Sequence, residues 1–136
     1  METTLTMSII NFASYFGLSL VLLVVFKYVY AFVTPHDEWK LIKEDQNSAA
    51  AIGLGGAVVG FAIALSGAAS NSVSWGDFLI WGFIALGAQI LAFAVVRFLY
   101  MPKIVARIKA GEISAGIMLA STNLAVGLIN AACMTY

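Results

Sequence analysis

Four stretches of this chain, residues 7–26, 49–69, 78–96 and 114–133, each run about twenty residues without a charged side chain. A run of that length matches the hydrocarbon thickness of a bilayer. Lipid offers no partner for backbone N–H and C=O groups, so such a segment is either a helix or a strand of a closed barrel. Barrel strands alternate apolar and polar residues, whereas residues 20–26 and 78–86 are apolar throughout, which selects helices. The expected fold is therefore all-α, an integral membrane four-helix bundle forming one transmembrane domain over residues 1–136. Composition agrees: 62% of the 136 residues are hydrophobic and 10% charged, against about 25% charged in soluble domains. The lipid bilayer is the first partner this implies.

The cations fix an orientation. Lys27, Lys40 and Lys43 follow the first span, Arg97, Lys103, Arg107 and Lys109 follow the third, and these are all seven. Basic residues stay on the cytoplasmic side during insertion, so both longer connections are expected inside and both termini outside. Trp39, Tyr28, Tyr30 and Tyr100 fall near the inner interface and Trp75 and Trp81 near the outer one, where aromatic side chains anchor. The opening Met-Glu-Thr-Thr has no basic region and no small-x-small site ends the first apolar stretch. The first span is expected to be a retained anchor and the mature chain to equal this sequence.

The two halves resemble each other. Val25–Tyr30 aligns with Val96–Tyr100, setting Lys27 over Arg97, Tyr30 over Tyr100 and Gly17 over Gly87. Further on, Ile42-Lys43 and Ser48-Ala49 match Ile108-Lys109 and Ser114-Ala115, with Pro35 and Pro102 between. This predicts two tandem helical hairpins, residues 7–69 and 78–133, related by a pseudo-twofold axis along the bilayer normal. Each connection carries a short pattern at helical spacing: Trp39, Ile42 and Lys43 in the first, with Thr34 before Pro35 as a cap; Ile104, Val105 and Ile108 opposite Lys103, Arg107 and Lys109 in the second. A surface helix and a plain solvated or lipid-facing loop both fit, and the loop is the simpler expectation. His36, Trp39, Lys43, Lys103, Arg107 and Lys109 are the candidates for contacts on that side.

The second and fourth spans differ in kind from the others. Gly53, Gly56 and Gly60 repeat a small residue every three or four positions, and Gly116, Asn123, Gly127 and Asn130 share one face of the fourth span. Small residues let helix backbones approach closely in lipid, and two asparagines there must face protein or water. These positions are candidates for helix packing or, alternatively, for lining a polar passage. Against a passage, no Asp, Glu, Lys, Arg or His lies within any span, whereas ion-coupled carriers generally show one.

Catalytic chemistry lacks parts. No Ser/His/Asp set, membrane carboxylate pair or phosphate-cradling loop followed by Lys is present, and Gln89 has no reactive partner by sequence. His36, Asp37 and Glu38 are adjacent rather than at the spacing that converges on one metal, so a solvated loop is expected there and no metal or cofactor. Seven basic and seven acidic residues give no net charge, which argues against nucleic acid. The single cysteine, Cys133, forms no internal disulfide and is expected to be a buried small residue, with pairing between subunits as the alternative.

Residues 34–43, Thr-Pro-His-Asp-Glu-Trp-Lys-Leu-Ile-Lys, the Ser-Ala-Ala at 48–50, the Ala-Gly-Ile-Met at 115–118 and the closing Asn-Ala-Ala-Cys-Met-Thr at 130–135 resemble the YjfL-type family of small bacterial inner-membrane proteins. Relatives ending in Met-Thr-Trp differ here at Tyr136. The resemblance covers nearly the whole chain. It implies a twice-repeated domain of unknown function, number 350, in the cytoplasmic membrane, and genes neighbouring phage-shock-like membrane-remodelling proteins.

Taken with the residues, this leads to the expectation of a non-enzymatic multi-pass inner-membrane protein in envelope homeostasis. Its small-residue faces would build a homo-oligomer or meet a partner, and its cytoplasmic connections would recruit anionic lipid or a peripheral phage-shock-like protein. The alternative is a small oligomeric channel or carrier lined by the second and fourth spans.

Overall fold

Apolar runs without internal proline propagate as helix until something stops them, and here the stops are identifiable. The computed structural model describes residues 2–35 and 38–134. Helix α1 (Glu2–Val33) extends past the expected span at both ends, because Lys27 and Tyr30 continue the helix and only Pro35 ends it. Thr34 does not open the next helix as expected. Its hydroxyl donates back to the Tyr30 carbonyl (3.0 Å), closing α1 instead, the usual reach of a threonine toward the carbonyl four residues earlier.

The first connection holds a six-residue helix, α2 (Glu38–Lys43). Asn47 then caps α3 (Ser48–Asn71), its side chain accepting from the Ala50 N–H at 3.0 Å. At the opposite end a tight turn leads to α4 (Trp75–Val95): Ser74 accepts from the Asp77 N–H (3.1 Å) and the Asp77 carboxylate accepts from the Val73 N–H (3.0 Å). Helix α4 loosens into a π-helical turn, Val96–Tyr100, closed by the Met101 N–H on the Val96 carbonyl and stopped by Pro102. The second connection holds α5 (Ile104–Lys109) and leads to α6 (Ile113–Cys133). Both connections are thus partly helical where a loop is the simpler expectation, since each has an apolar side to bury. Among the described residues there is no strand, and four helices are long and apolar enough to cross a membrane.

The α3–α6 pair is the centre of the bundle. They run in the same direction, Ala49 facing Gly116 near their starts and Gly67 facing Ala131 near their ends. Helix α4 packs against both, and α1 leans on α3 and α4 through its second half. Leu22, Phe26 and Tyr30, four residues apart, form α1's one buried stripe. Phe26 stacks on Phe61 (4.6 Å between centroids), and Tyr30 meets the Phe93 ring edge-on. Tyr30, expected as an interfacial anchor, is 1% exposed: helical spacing puts it on the stripe with Leu22 and Phe26. Tyr28 and Trp39 are exposed. Cys133 also departs from expectation. It is exposed, on the outward side of the last turn of α6.

Candidate functional site: a polar cluster inside the bundle

The small residues of α3 and α6 are spent on each other. A Cβ added to Gly56 would strike Ala120, one on Gly60 the Asn123 carbonyl, and one on Gly127 the Gly60 carbonyl; Gly53 lies against the Leu119 side chain. At these points backbone touches backbone, the arrangement that supplies dispersion and weak hydrogen bonds where no hydrophobic gain exists. All four glycines are buried within the single chain, so these faces are closed to a second copy.

The close approach of α3 and α6 brings the amides of the core together. The Gln89 amide donates to the Asn123 backbone carbonyl (3.2 Å), and Asn130 donates to the Ala85 carbonyl (3.0 Å) and to Gln89 Oε1 (3.1 Å). The Asn123 amide donates to the Leu119 carbonyl at 3.0 Å. Gln89 and Asn123 are fully buried, and Asn130 partly so. The asparagines therefore line an interior of α4 and α6 rather than a surface. Gln89, which sequence supplied with no partner, is the hinge of the group.

Two further members come from α1 and α2. Glu38, the first residue of α2, is turned inward and only 2% exposed. Tyr30, on the buried stripe of α1, is 1% exposed. Among the described residues neither the Tyr30 hydroxyl nor Asn123 Oδ1 has a hydrogen-bond partner. Although none of the runs 7–26, 49–69, 78–96 and 114–133 contains an Asp or Glu, the fold carries one into the bundle from a connection. Sequence reading missed Glu38 because it assigned residues 36–38 to a solvated loop. The signal was there: helical spacing from Glu38 to Ile42 gives α2 an inward side.

The remaining candidates lie at the end of the bundle where α2 and α5 sit. Lys27 and Lys43 both lie over the Trp39 ring, at 4.2 and 5.6 Å from its centroid. On α5, Ile104 and Ile108 are buried while Lys103 and Lys109 are exposed, and Arg107 pairs with Glu112. Lys103 and Arg107 line a recess with Tyr100. The Asn47 side chain donates to the Ile108 carbonyl (2.7 Å) and ties the two connections together, a role that sequence did not suggest. Beside this tie an open groove of about 460 Å³ is lined by Leu41, Asp45, Lys109 and Ile113. His36 lies outside the described residues. Among the described residues no three His, Cys, Asp or Glu side chains group as metal ligands.

Residues 4–134 match the family described as Domain of Unknown Function (DUF350). The chain belongs to this family. It is similar to the UPF0719 inner membrane protein YjfL of Escherichia coli K12, 43% identical over 129 residues that cover 95% of this chain and 96% of the relative, and equally to its counterpart in E. coli O157:H7. No solved structure matches the chain. With four membrane-length helices, this DUF350 member is a multi-pass protein of the bacterial inner membrane. Neither relative carries an enzymatic name.

Proposed function

We propose that this chain is a non-enzymatic platform in envelope homeostasis, whose cytoplasmic end recruits a peripheral, phage-shock-like protein onto the anionic inner leaflet. One observation carries the reading: α2 and α5, with every cation in or beside them, share one end of the bundle and are held together by Asn47. The positive-inside rule sets that end in the cytoplasm and both termini outside. Each basic residue near an anionic surface adds about 1 kcal/mol of attraction, and Trp39 and Tyr100 sit at the level where aromatics anchor. The parallel course of α3 and α6, and the equal lengths of α2 and α5, support two tandem hairpins. Self-assembly falls to outward faces, such as those around Gly17 and Gly87, which have nothing opposite them. Copurification from native membranes after cross-linking tests the platform: the wild-type chain retains a peripheral protein that Lys103→Ala/Arg107→Ala/Lys109→Ala loses. Equal recovery, or none with either, removes it.

A channel or carrier is the second reading, and the bonded trio Gln89, Asn123 and Asn130 is the observation that favours it. The trio lies within one chain, so the path would run between α4 and α6 and not among several copies. Solute flux into liposomes that is unaltered by Asn123→Leu and Asn130→Leu, over a broad panel, excludes it.

A further inference from the structure

Two ammonium groups from different helices converge on one indole at the end of the bundle that carries α2. Lys27, in the C-terminal part of α1, lies 4.2 Å from the Trp39 ring centroid and 4.6 Å from that of Tyr28; Lys43, in the last turn of α2, lies 5.6 Å from Trp39. Each is near enough for a cation–π attraction. That attraction cancels no charge, and two like cations beside one ring repel, more strongly where a bilayer lowers the local dielectric. Among the described residues neither lysine has a carboxylate partner. Glu44 borders the same recess as Trp39 and Lys43, yet it pairs with neither lysine.

The uncompensated pair sits at a defined depth. Lys27 is the first charged residue after the uncharged run 7–26, which places it where hydrocarbon gives way to headgroups. Leu20, Val24, Lys27 and Tyr28 share one side of α1 by helical spacing, so the face that ends in the ammonium begins in hydrocarbon. Leu20, Val21 and Val24 are exposed, and with Val25 they line a recess of about 290 Å³. Tyr28 and Trp39 are exposed as well. Apolar side chains, then aromatic rings, then two cations follow the order of a phospholipid from its acyl chains to its phosphate.

The second hairpin repeats the charges without gathering them. In the alignment that sets Lys27 over Arg97, Tyr28 falls over Phe98, and Arg97 lies 5.5 Å from the centroid of that ring. Aligned through Ile42-Lys43 and Ile108-Lys109, Trp39 falls over Val105 and Lys43 over Lys109. Val105 offers no ring, and Lys109 lines the groove that Asp45 also lines. Insertion topology accounts for cations in both connections, but not for two of them meeting on a tryptophan in one.

We propose that Lys27, Lys43, Trp39 and Tyr28 form a binding site for an anionic glycerophospholipid, whose phosphate lies between the two ammonium groups and whose acyl chains follow Leu20, Val21 and Val24 along α1. Both ammonium groups donate to phosphate oxygens, which accept several charge-assisted bonds at once. Charge complementarity selects the headgroup: a zwitterionic lipid brings its own cation to a place that already holds two. A free phosphate would meet the same lysines but leave the apolar recess unused. The site requires only that the chain spans lipid, and it rests on neither reading of function given above. The cations of α5, which the platform test removes, take no part in it.

The test uses the full chain in non-ionic detergent with Trp75→Phe and Trp81→Phe, leaving Trp39 as the only tryptophan. Trp39 emission is followed as phosphatidylglycerol, phosphatidylcholine with the same acyl chains, or inorganic phosphate is added. Phosphatidylglycerol should change the emission saturably, with a midpoint at least about tenfold below that of phosphatidylcholine, and inorganic phosphate at the same concentrations should leave it unmoved. Raising sodium chloride from about 0.05 M to about 0.5 M should shift the phosphatidylglycerol midpoint upward several-fold. Lys27→Gln/Lys43→Gln should raise that midpoint about tenfold or more, whereas Arg97→Gln, at the position matching Lys27 in the second hairpin, should leave it within about twofold. Should the double variant fail to fold, the comparison of the two lipids on the chain with both lysines decides alone. No saturable response, equal midpoints for the two lipids, a response to inorganic phosphate equal to that for phosphatidylglycerol, a midpoint unaltered by Lys27→Gln/Lys43→Gln, or an equal loss with Arg97→Gln overturns the site.

Discussion

The two hairpins put the same parts to different use. In α1–α2–α3 the short helix opens on a buried glutamate, and in α4–α5–α6 it opens on a buried isoleucine. The second hairpin in turn supplies the core amides Gln89, Asn123 and Asn130. Polarity is thus divided: the buried acid comes from one half and the buried amides from the other. A buried polar group is tolerable only where its partners are gathered, and the amides of the second hairpin find theirs on α4 and α6. The comparison teaches that a shared backbone plan does not require shared chemistry, since close packing of α3 against α6 leaves room for each half to carry what the other lacks.

Four outcomes would break or sharpen that contrast. The largest concerns the exchanged position. Ile104→Glu places a carboxylate in the apolar core, and it should cost at least about 3 kcal/mol in reversible unfolding from mild detergent. Glu38→Ile should be neutral or stabilising by up to about 2 kcal/mol, as replacements of buried charge by well-packed apolar groups often are. Similar losses for both would show that the two sites are alike. Next, Gly56→Ala drives a methyl into Ala120 and should lower stability by about 1–3 kcal/mol. Gly55→Ala, with nothing opposite it, should raise stability by about 0.5–1 kcal/mol through helix propensity alone.

A smaller effect lies in the turns. Both connections pass through a left-handed residue, Gln46 at φ 50° in the first and Gly111 at φ 81° in the second. Only the second uses glycine, so Gln46→Gly should stabilise by about 1 kcal/mol and Gly111→Ala destabilise by a similar amount in thermal melts. The smallest is the coupling between Gln89 and Asn130. A double-mutant cycle with alanine at each should return about 0.6 kcal/mol, the usual strength of such a bond inside a membrane protein. A cycle energy of zero would mean that the 3.1 Å contact only fills space.

Much of the architecture was legible before any coordinates. Uncharged runs of spanning length can be satisfied only as helices, and their ends moved little: 49–69 became Ser48–Asn71 and 114–133 became Ile113–Cys133. Helix α1 overran its span because hydropathy marks where lipid begins and not where a helix ends; Pro35 marks the latter. The outward and inward sides of α5 were also readable from its spacing. The site was half legible. Asn123 and Asn130 declared themselves as polar residues in apolar surroundings, but Tyr30 looked like an anchor and Glu38 like a loop residue. Their inward direction depends on where α2 folds back, and nothing local in the sequence fixes that.

The sequence by itself therefore determined that this chain crosses lipid as four helices, because backbone hydrogen bonding in hydrocarbon leaves no other choice for such runs. Only the tertiary structure decided that the glycine faces of α3 and α6 close on each other, and that Glu38, Tyr30 and Asn123 are all buried. Contacts of that kind join residues far apart in the chain. They depend on the depth and rotation at which whole helices pack, which are properties of the assembled bundle and of no single segment.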